Sequence, residues 1–354
     1  MPQPEVMQDL DPPGDAAVAP APPSAEEAQR TSFAAIRSNA RRGKLIAVAA
    51  FLLLAGGMLF YPSFADSRYH LTLATLTMMW MGLASSWNLI SGFTSYASFG
   101  HAALFGLGSY IVGIGTVRYE LNVYVALAAA GALVGLFSLF LGFLTLRTKG
   151  HYFAIATLGV SEGVRVIVNS WRSYTKGSIG FSLPIDLVTD DGKRQFYAML
   201  GALAAIVAVS AAILWSRFGA RLLAIRDDEE VAEALGVRAS GYKIAALVLS
   251  GAFAGLFGGI FAWVLGYLTP EATLTPLISL QIAVMAILGG RGTLLGPLVG
   301  GAAFYLVGEY LLVKTGELHA VLLGLVLICT MLFLRQGIVG TLQATRIWPR
   351  GLRL

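Results

Sequence analysis

The sequence predicts an all-α, polytopic membrane protein with about ten transmembrane helices, and three observations carry that prediction. Of 354 residues, 56% are hydrophobic and only 13% are charged, about half the charge that a soluble fold needs to cover its surface. Apolar runs recur along the chain, most of them close to the roughly 20 residues that span a hydrocarbon core about 30 Å thick. The 41 glycines would weaken helices in water, but in lipid they let helix backbones approach closely. This composition excludes soluble enzymes and nucleic-acid binders.

The first segment stands apart. Residues 1–29 hold seven of the 13 prolines and six acids with no Lys or Arg, too little apolar surface to offset the entropy of ordering. Residues 1–40 are therefore read as a disordered cytoplasmic tail. A cleavable secretory signal would begin with a short basic region and is not expected here. Without residues 1–29 the chain carries 25 basic and 14 acidic residues, a net charge of +11.

The membrane-spanning body is expected over residues 41–335. Its spans fall at about 45–64, 69–90, 100–117, 122–146, 151–169, 196–216, 241–267, 277–290, 294–313 and 318–334. With the N-terminus inside, 17 Lys and Arg lie on or beside inner segments and eight on the other side. The positive-inside rule then places both termini in the cytoplasm, with residues 336–354 as a C-terminal tail. Merging 277–290 with 294–313 would put Arg335, Arg346, Arg350 and Arg353 outside. Cys329 sits in an apolar run, where an inert buried thiol is expected.

Glycine spacing predicts tight helix pairs at Gly131/Gly135, Gly251/Gly255/Gly259 and Gly292/Gly296/Gly300. Two interruptions carry more information. Residues 91–101 (Ser-Gly-Phe-Thr-Ser-Tyr-Ala-Ser-Phe-Gly-His) and 289–297 place glycines and hydroxyls between apolar helices. Broken backbone at membrane depth persists only where protein or a water-filled cavity satisfies it, so both are either pointers to a transport path or tight cytoplasmic turns. Candidate path residues are Ser98, Gly100, His101, Thr157, Glu162, Gly289 and Gly290.

Charges within spans are few. Glu162 and Arg165 share one helical face and either pair, line the interior, or sit near an interface. Glu309 lies near the outer end of its span and can snorkel. No chain of protonatable acids suggests an ion-coupled pump. His70, His101, His151 and His319 lie on separate segments without metal-ligand spacing, and no catalytic residue or metal site is expected.

Residues 217–240 form the most charged stretch. Asp227 or Asp228 can cap a short helix whose first turn holds Glu229 and Glu230, with Gly236 as its stop and Val231, Ala234 and Leu235 as an apolar stripe. Such a helix is either a solvated connector or a docking element.

The sequence Ala-Ile-Arg-Asp-Asp-Glu-Glu-Val-Ala-Glu-Ala-Leu-Gly-Val (224–237) resembles the cytoplasmic coupling loop of permease subunits of branched-chain amino-acid ABC importers. Tyr242-Lys243, Ile-Leu-Gly-Gly-Arg-Gly-Thr-Leu-Leu-Gly-Pro (287–297), Ser98–Tyr110 and Gly150–Leu158 look like the same family, specifically its second, M-type subunit. The resemblance implies a ten-helix importer fold with inverted halves in the bacterial inner membrane. It also implies a homologous permease partner, two cytoplasmic ATPases that use ATP and Mg, and an extracytoplasmic solute-binding protein. No G-x-x-x-x-G-K-[ST] phosphate loop occurs in the chain, consistent with a separate motor and no cofactor of its own. Arg226, Asp227, Asp228, Glu229, Val231, Glu233, Leu235 and Gly236 would meet the ATPase. The expected cargo is a branched-chain or similar small hydrophobic amino acid. A urea or short-amide permease is the near alternative, and an ion-coupled transporter or channel is the alternative of another class.

Overall fold

The computed structural model describes residues 56–63, 67–146, 148, 150–184, 192–318, 321–322, 324–325, 328 and 337–344. The expected tail 1–40, Cys329, most of the first span and most of the last lie outside the described residues. The longer helices are α1 (Arg68–Trp87), α2 (His101–Arg118), α3 (Val123–Thr145), α4 (His151–Ser170), α5 (Lys193–Leu214), α6 (Arg217–Asp227), α7 (Glu229–Ala234), α8 (Ala239–Leu265), α9 (Pro276–Gly290), α10 (Gly296–Thr315) and α11 (Gly337–Ala344).

Among the described residues, five stretches are long and apolar enough to cross a membrane: α3, α5, α8, Pro270–Gly290 and α10. The helices α1, α2 and α4 are of similar length but carry more polar side chains, among them His101, Glu162 and Arg165. Together these helices coincide with the expected spans from 69–90 to 294–313. The chain folds back on itself at 291–295, so α9 and α10 are separate helices packed against each other and not one merged span.

Helix starts follow local chemistry. Ser67, Asn122 and Ser216 accept backbone N–H groups of the first turns of α1, α3 and α6. Pro276 opens α9, where a missing N–H costs nothing. Two residue pairs, Phe181 with Leu268 and Ser182 with Tyr267, form a small antiparallel ladder that ties the α4–α5 connection to the end of α8.

The centre of the bundle is α8, packed against α2 and α3. At the crossing of α2 and α8 a methyl group on Gly108 would overlap the Gly255 carbonyl, so only glycine allows this approach. Gly131 and Gly135 face Ala252 of α8, as the small-residue spacing predicts. Trp87, Trp263, Phe93, Phe105, Phe153, Phe196 and Phe257 fill the core. Within the segment read as a C-terminal tail, α11 packs on the ends of α9 and α10, with Val339 buried beside Gly290.

Candidate functional site at the end that carries the charged loop

Three stretches meet at one end of the bundle: the break after α1, the α6–α7 loop, and residues 291–295. Asp228 is the cap of α7, its Oδ1 accepting the N–H groups of Glu230 and Val231 at 3.0 Å each. Negative charge at that terminus suits the helix dipole. The helix stops where Gly236 takes φ +88°, a left-handed conformation costly for other residues. Ala232 turns inward against Ile225 and Ala239. Val231 and Leu235 are 55% and 81% exposed, and Glu233 and Gly236 are exposed beside them. Asp227 is also outward, in loose contact with Arg226 at 3.4 Å.

Glu229 is held differently from its neighbours. Its Oε1 accepts Lys243 Nζ at 2.7 Å and its Oε2 accepts the Tyr96 hydroxyl at 2.6 Å. Lys243 also donates to Tyr96 Oη at 3.1 Å and lies 4.2 Å from the centre of that ring. Lys243 is 1% exposed, so its ammonium depends on this carboxylate for compensation. Burial, and next the adjoining Glu229 carboxylate, hold the Tyr96 phenol above the usual tyrosine range. The triad fastens α7 to α8 and to the break that follows α1.

That break is satisfied by side chains from surrounding helices. After a single π-helical turn, Asn88–Gly92, the chain is non-helical from 95 to 100. Trp87 Nε1 donates to Ser98 O at 2.8 Å, and Ser98 N–H donates to Ser91 Oγ at 3.1 Å. Phe99 N–H donates to Thr157 Oγ1 of α4 at 3.1 Å. Ser279 of α9 accepts Ala102 N–H at 2.8 Å and donates to Phe99 O at 2.7 Å. His101 Nε2 lies 2.8 Å from Ser250 Oγ, whose proton is committed to Ser86 O at 2.6 Å. The imidazole is therefore the donor to Ser250, leaving Nδ1 to accept from Ser98 at 3.3 Å.

Among the path candidates, Ser98, Gly100, His101 and Thr157 are brought together in this buried knot. Gly289 and Gly290 are buried at the turn between α9 and α10, where Gly289 packs on the Gly296 backbone. The turn reaches the first break: Asn88 Nδ2 donates to Thr293 O at 2.9 Å, and Gly292 N–H donates to Asn88 Oδ1 at 2.7 Å. Arg291 donates to Ser95 Oγ at 3.2 Å, and Arg226 of α6 crowds the open face of Gly292 (φ +79°). Glu162 stands away from this knot. It pairs with Arg165 (Nε to Oε2 2.9 Å), and both side chains remain a third or more exposed on α4.

Tyr96 and Lys243 were visible in sequence only as members of motifs, while Asn88, Ser250 and Ser279 gave no signal beyond being polar within apolar runs. Among the described residues no three His, Cys, Asp or Glu side chains gather as a metal cluster.

Residues 69–331 match the family described as branched-chain amino acid transport system / permease component. The chain is 27% identical over 333 residues to the high-affinity branched-chain amino acid transport system permease protein LivM of Escherichia coli K12, covering 86% of this chain and 77% of that protein. It is 27% identical over 304 residues to LivM of Salmonella typhimurium LT2, covering 78% and 71%. It is 28% identical over 283 residues to the autoinducer 2 import system permease protein LsrC of E. coli O9:H4, covering 75% and 77%. No solved structure matches.

Proposed function

The chain belongs to the family of branched-chain amino-acid transport system permease components, and from that premise we propose that it forms the gated path of an ATP-driven importer for branched-chain or other small hydrophobic amino acids. It is a permease component of an ABC-type transporter, and the family is one of transport permeases, not enzymes. ATPase and binding-protein partners belong to such systems in general. Pairing with a homologous permease, two ATPases, a location in the bacterial inner membrane with both termini cytoplasmic, and the ten-helix fold with inverted halves are part of the proposal.

One observation supports the docking role of α7 above all others. Its apolar residues Val231 and Leu235 point away from the bundle while Glu229, at its start, is fastened into it by Lys243 and Tyr96. A solvated connector gains nothing from exposed Val and Leu on a helix so firmly anchored. A partner groove buries them, and the triad passes displacement of α7 to the break carrying Ser98 and His101. In this reading Arg226, Asp227, Asp228, Glu233 and Gly236 frame the contact. The Glu162–Arg165 pair, costly against lipid, faces protein or a watery path.

The test is uptake by the assembled transporter, with its binding protein, in sealed vesicles. Leucine should accumulate only with ATP on the ATPase side, and Glu233→Lys should abolish uptake with the permease still inserted. Undiminished uptake in that variant overturns the docking assignment. Uptake driven by an ion gradient without ATP points to a secondary transporter, and preference for urea or a short amide replaces the cargo. The likeness to LsrC makes autoinducer 2 a necessary competitor in the same assay.

A further inference from the structure

Glu309 is an acid inside an apolar helix, about 20 Å along α10 from Gly296 at 1.5 Å per residue. That places it toward the end of the bundle opposite the α6–α7 loop. Its hydrogen-bond partner is the Tyr69 hydroxyl at 3.3 Å, and among the described residues no cation pairs with it. Near the outer end of its span such an acid is open to water, and an ionisable residue in a span that no cation offsets is a candidate functional site.

The surroundings give the site a chemical character. Glu309 lines a half-open cavity of about 250 Å³ together with Trp80, Gln281, Met285, Phe304 and Tyr305. Trp80 and Tyr305 stack with centroids 6.4 Å apart, and Tyr305 lies one helical turn before Glu309 on the same face. A carboxylate and two aromatic rings lining one cavity are groups that attract an ammonium, through charge and through the ring quadrupoles. Met285 and Phe304 supply an apolar wall and Gln281 a second polar handle. The volume lies below the range of about 300–1,000 Å³ usual for drug-sized ligands, which suits a small metabolite.

We propose that this cavity binds the ammonium group of a small amine-bearing substrate, with Glu309 as its counter-charge, Trp80 and Tyr305 as its aromatic wall, and Met285 and Phe304 against its short apolar chain. The inference rests on the permease reading and deepens it, since it favours an amino acid over an uncharged solute such as urea. The soluble substrate is one source of an ammonium group; the headgroup of phosphatidylethanolamine is another.

The assembled transporter in discs of phosphatidylglycerol, a lipid without an ammonium group, separates these cases by calorimetric titration. 3-Methylbutylammonium and L-leucine should bind, while 4-methylpentanoate, which lacks the ammonium, should not. Glu309→Gln should weaken 3-methylbutylammonium binding about tenfold or more, and Glu309→Asp should retain most of it. Equal binding of 4-methylpentanoate, which needs no variant to observe, or unchanged affinity in a correctly assembled Glu309→Gln transporter, overturns the site. Competition by added phosphatidylethanolamine overturns the soluble substrate as its occupant. If wild-type vesicles take up no leucine while amine binding still depends on Glu309, the cargo reading fails and the site stands. If they take up leucine and Glu309→Gln binds amine normally, the site fails and the cargo reading stands.

Discussion

Lys243, buried in α8, donates a 2.7 Å hydrogen bond to Glu229 in the first turn of α7. This contact crosses from the membrane-spanning core to the charged loop, so the position of the loop and the ionisation of the core are one problem. Breaking a buried pair by removing one partner leaves the other charge uncompensated, at a cost of about 3–5 kcal/mol. Glu229→Gln and Lys243→Met should each lower the unfolding temperature and uncouple ATP hydrolysis from uptake. The double variant should be more stable than the sum of the two single changes predicts, as a thermal-unfolding double-mutant cycle can measure.

The same triad predicts a spectroscopic signature. The Tyr96 phenol, neutral in the folded protein, ionises only above its ordinary value of 10.0 because burial and the Glu229 carboxylate oppose the anion. A raised folded value means that its stabilising contribution is complete below pH 10.0 and is lost as pH rises through that higher value. Absorbance titration near 295 nm should therefore show a late step that disappears in Tyr96→Phe. Glu229→Gln should move the step part of the way back, since burial is the larger cause. Ionisation of Tyr96 together with the exposed tyrosines would contradict the assigned contact.

Val231 and Leu235 bury little within this chain, and replacing both with Asp should leave its thermal stability within about 0.5 kcal/mol of wild type. Association with the ATPase subunits should weaken at least tenfold, measured by co-purification and by sedimentation of the complex. Retained association would return α7 to the status of a solvated connector.

Asn88 joins the two breaks through hydrogen bonds to Thr293 O and from Gly292 N–H. Asn88→Ala leaves both backbone groups without that partner and should destabilise the protein by about 1–3 kcal/mol. Hydrogen exchange should accelerate at 291–295 before it does in α8. Exchange that quickens uniformly would mean that Asn88 serves general packing and not the junction of the two turns.

Much of this architecture was legible in the chain itself. A deficit of charge, together with long apolar runs, predicted the helical membrane protein and the segments that α1 to α5 and α8 to α10 occupy. The acids after Asp228 predicted α7, because a cap and a helix dipole act over a few neighbouring residues. Asp227 and Asp228 were equivalent on that local argument, and the structure selects Asp228. The small-residue runs predicted close helix contact, though not that Gly108 meets Gly255.

What sequence could not decide was which polar residues meet. Ser98 and His101 read as candidates for a path; the structure joins them to each other and His101 to Ser250, while Ser279 and Thr157 bind the adjoining backbone. Glu229 looked like any other acid of the loop until Lys243 and Tyr96 closed on it, and Glu309 gained its meaning from Trp80 and Tyr305. Composition and periodicity determine helices because the bilayer and the backbone act on each segment alone. Hydrogen bonds between segments 100 or more residues apart depend on how the helices pack, and only the tertiary structure holds that information.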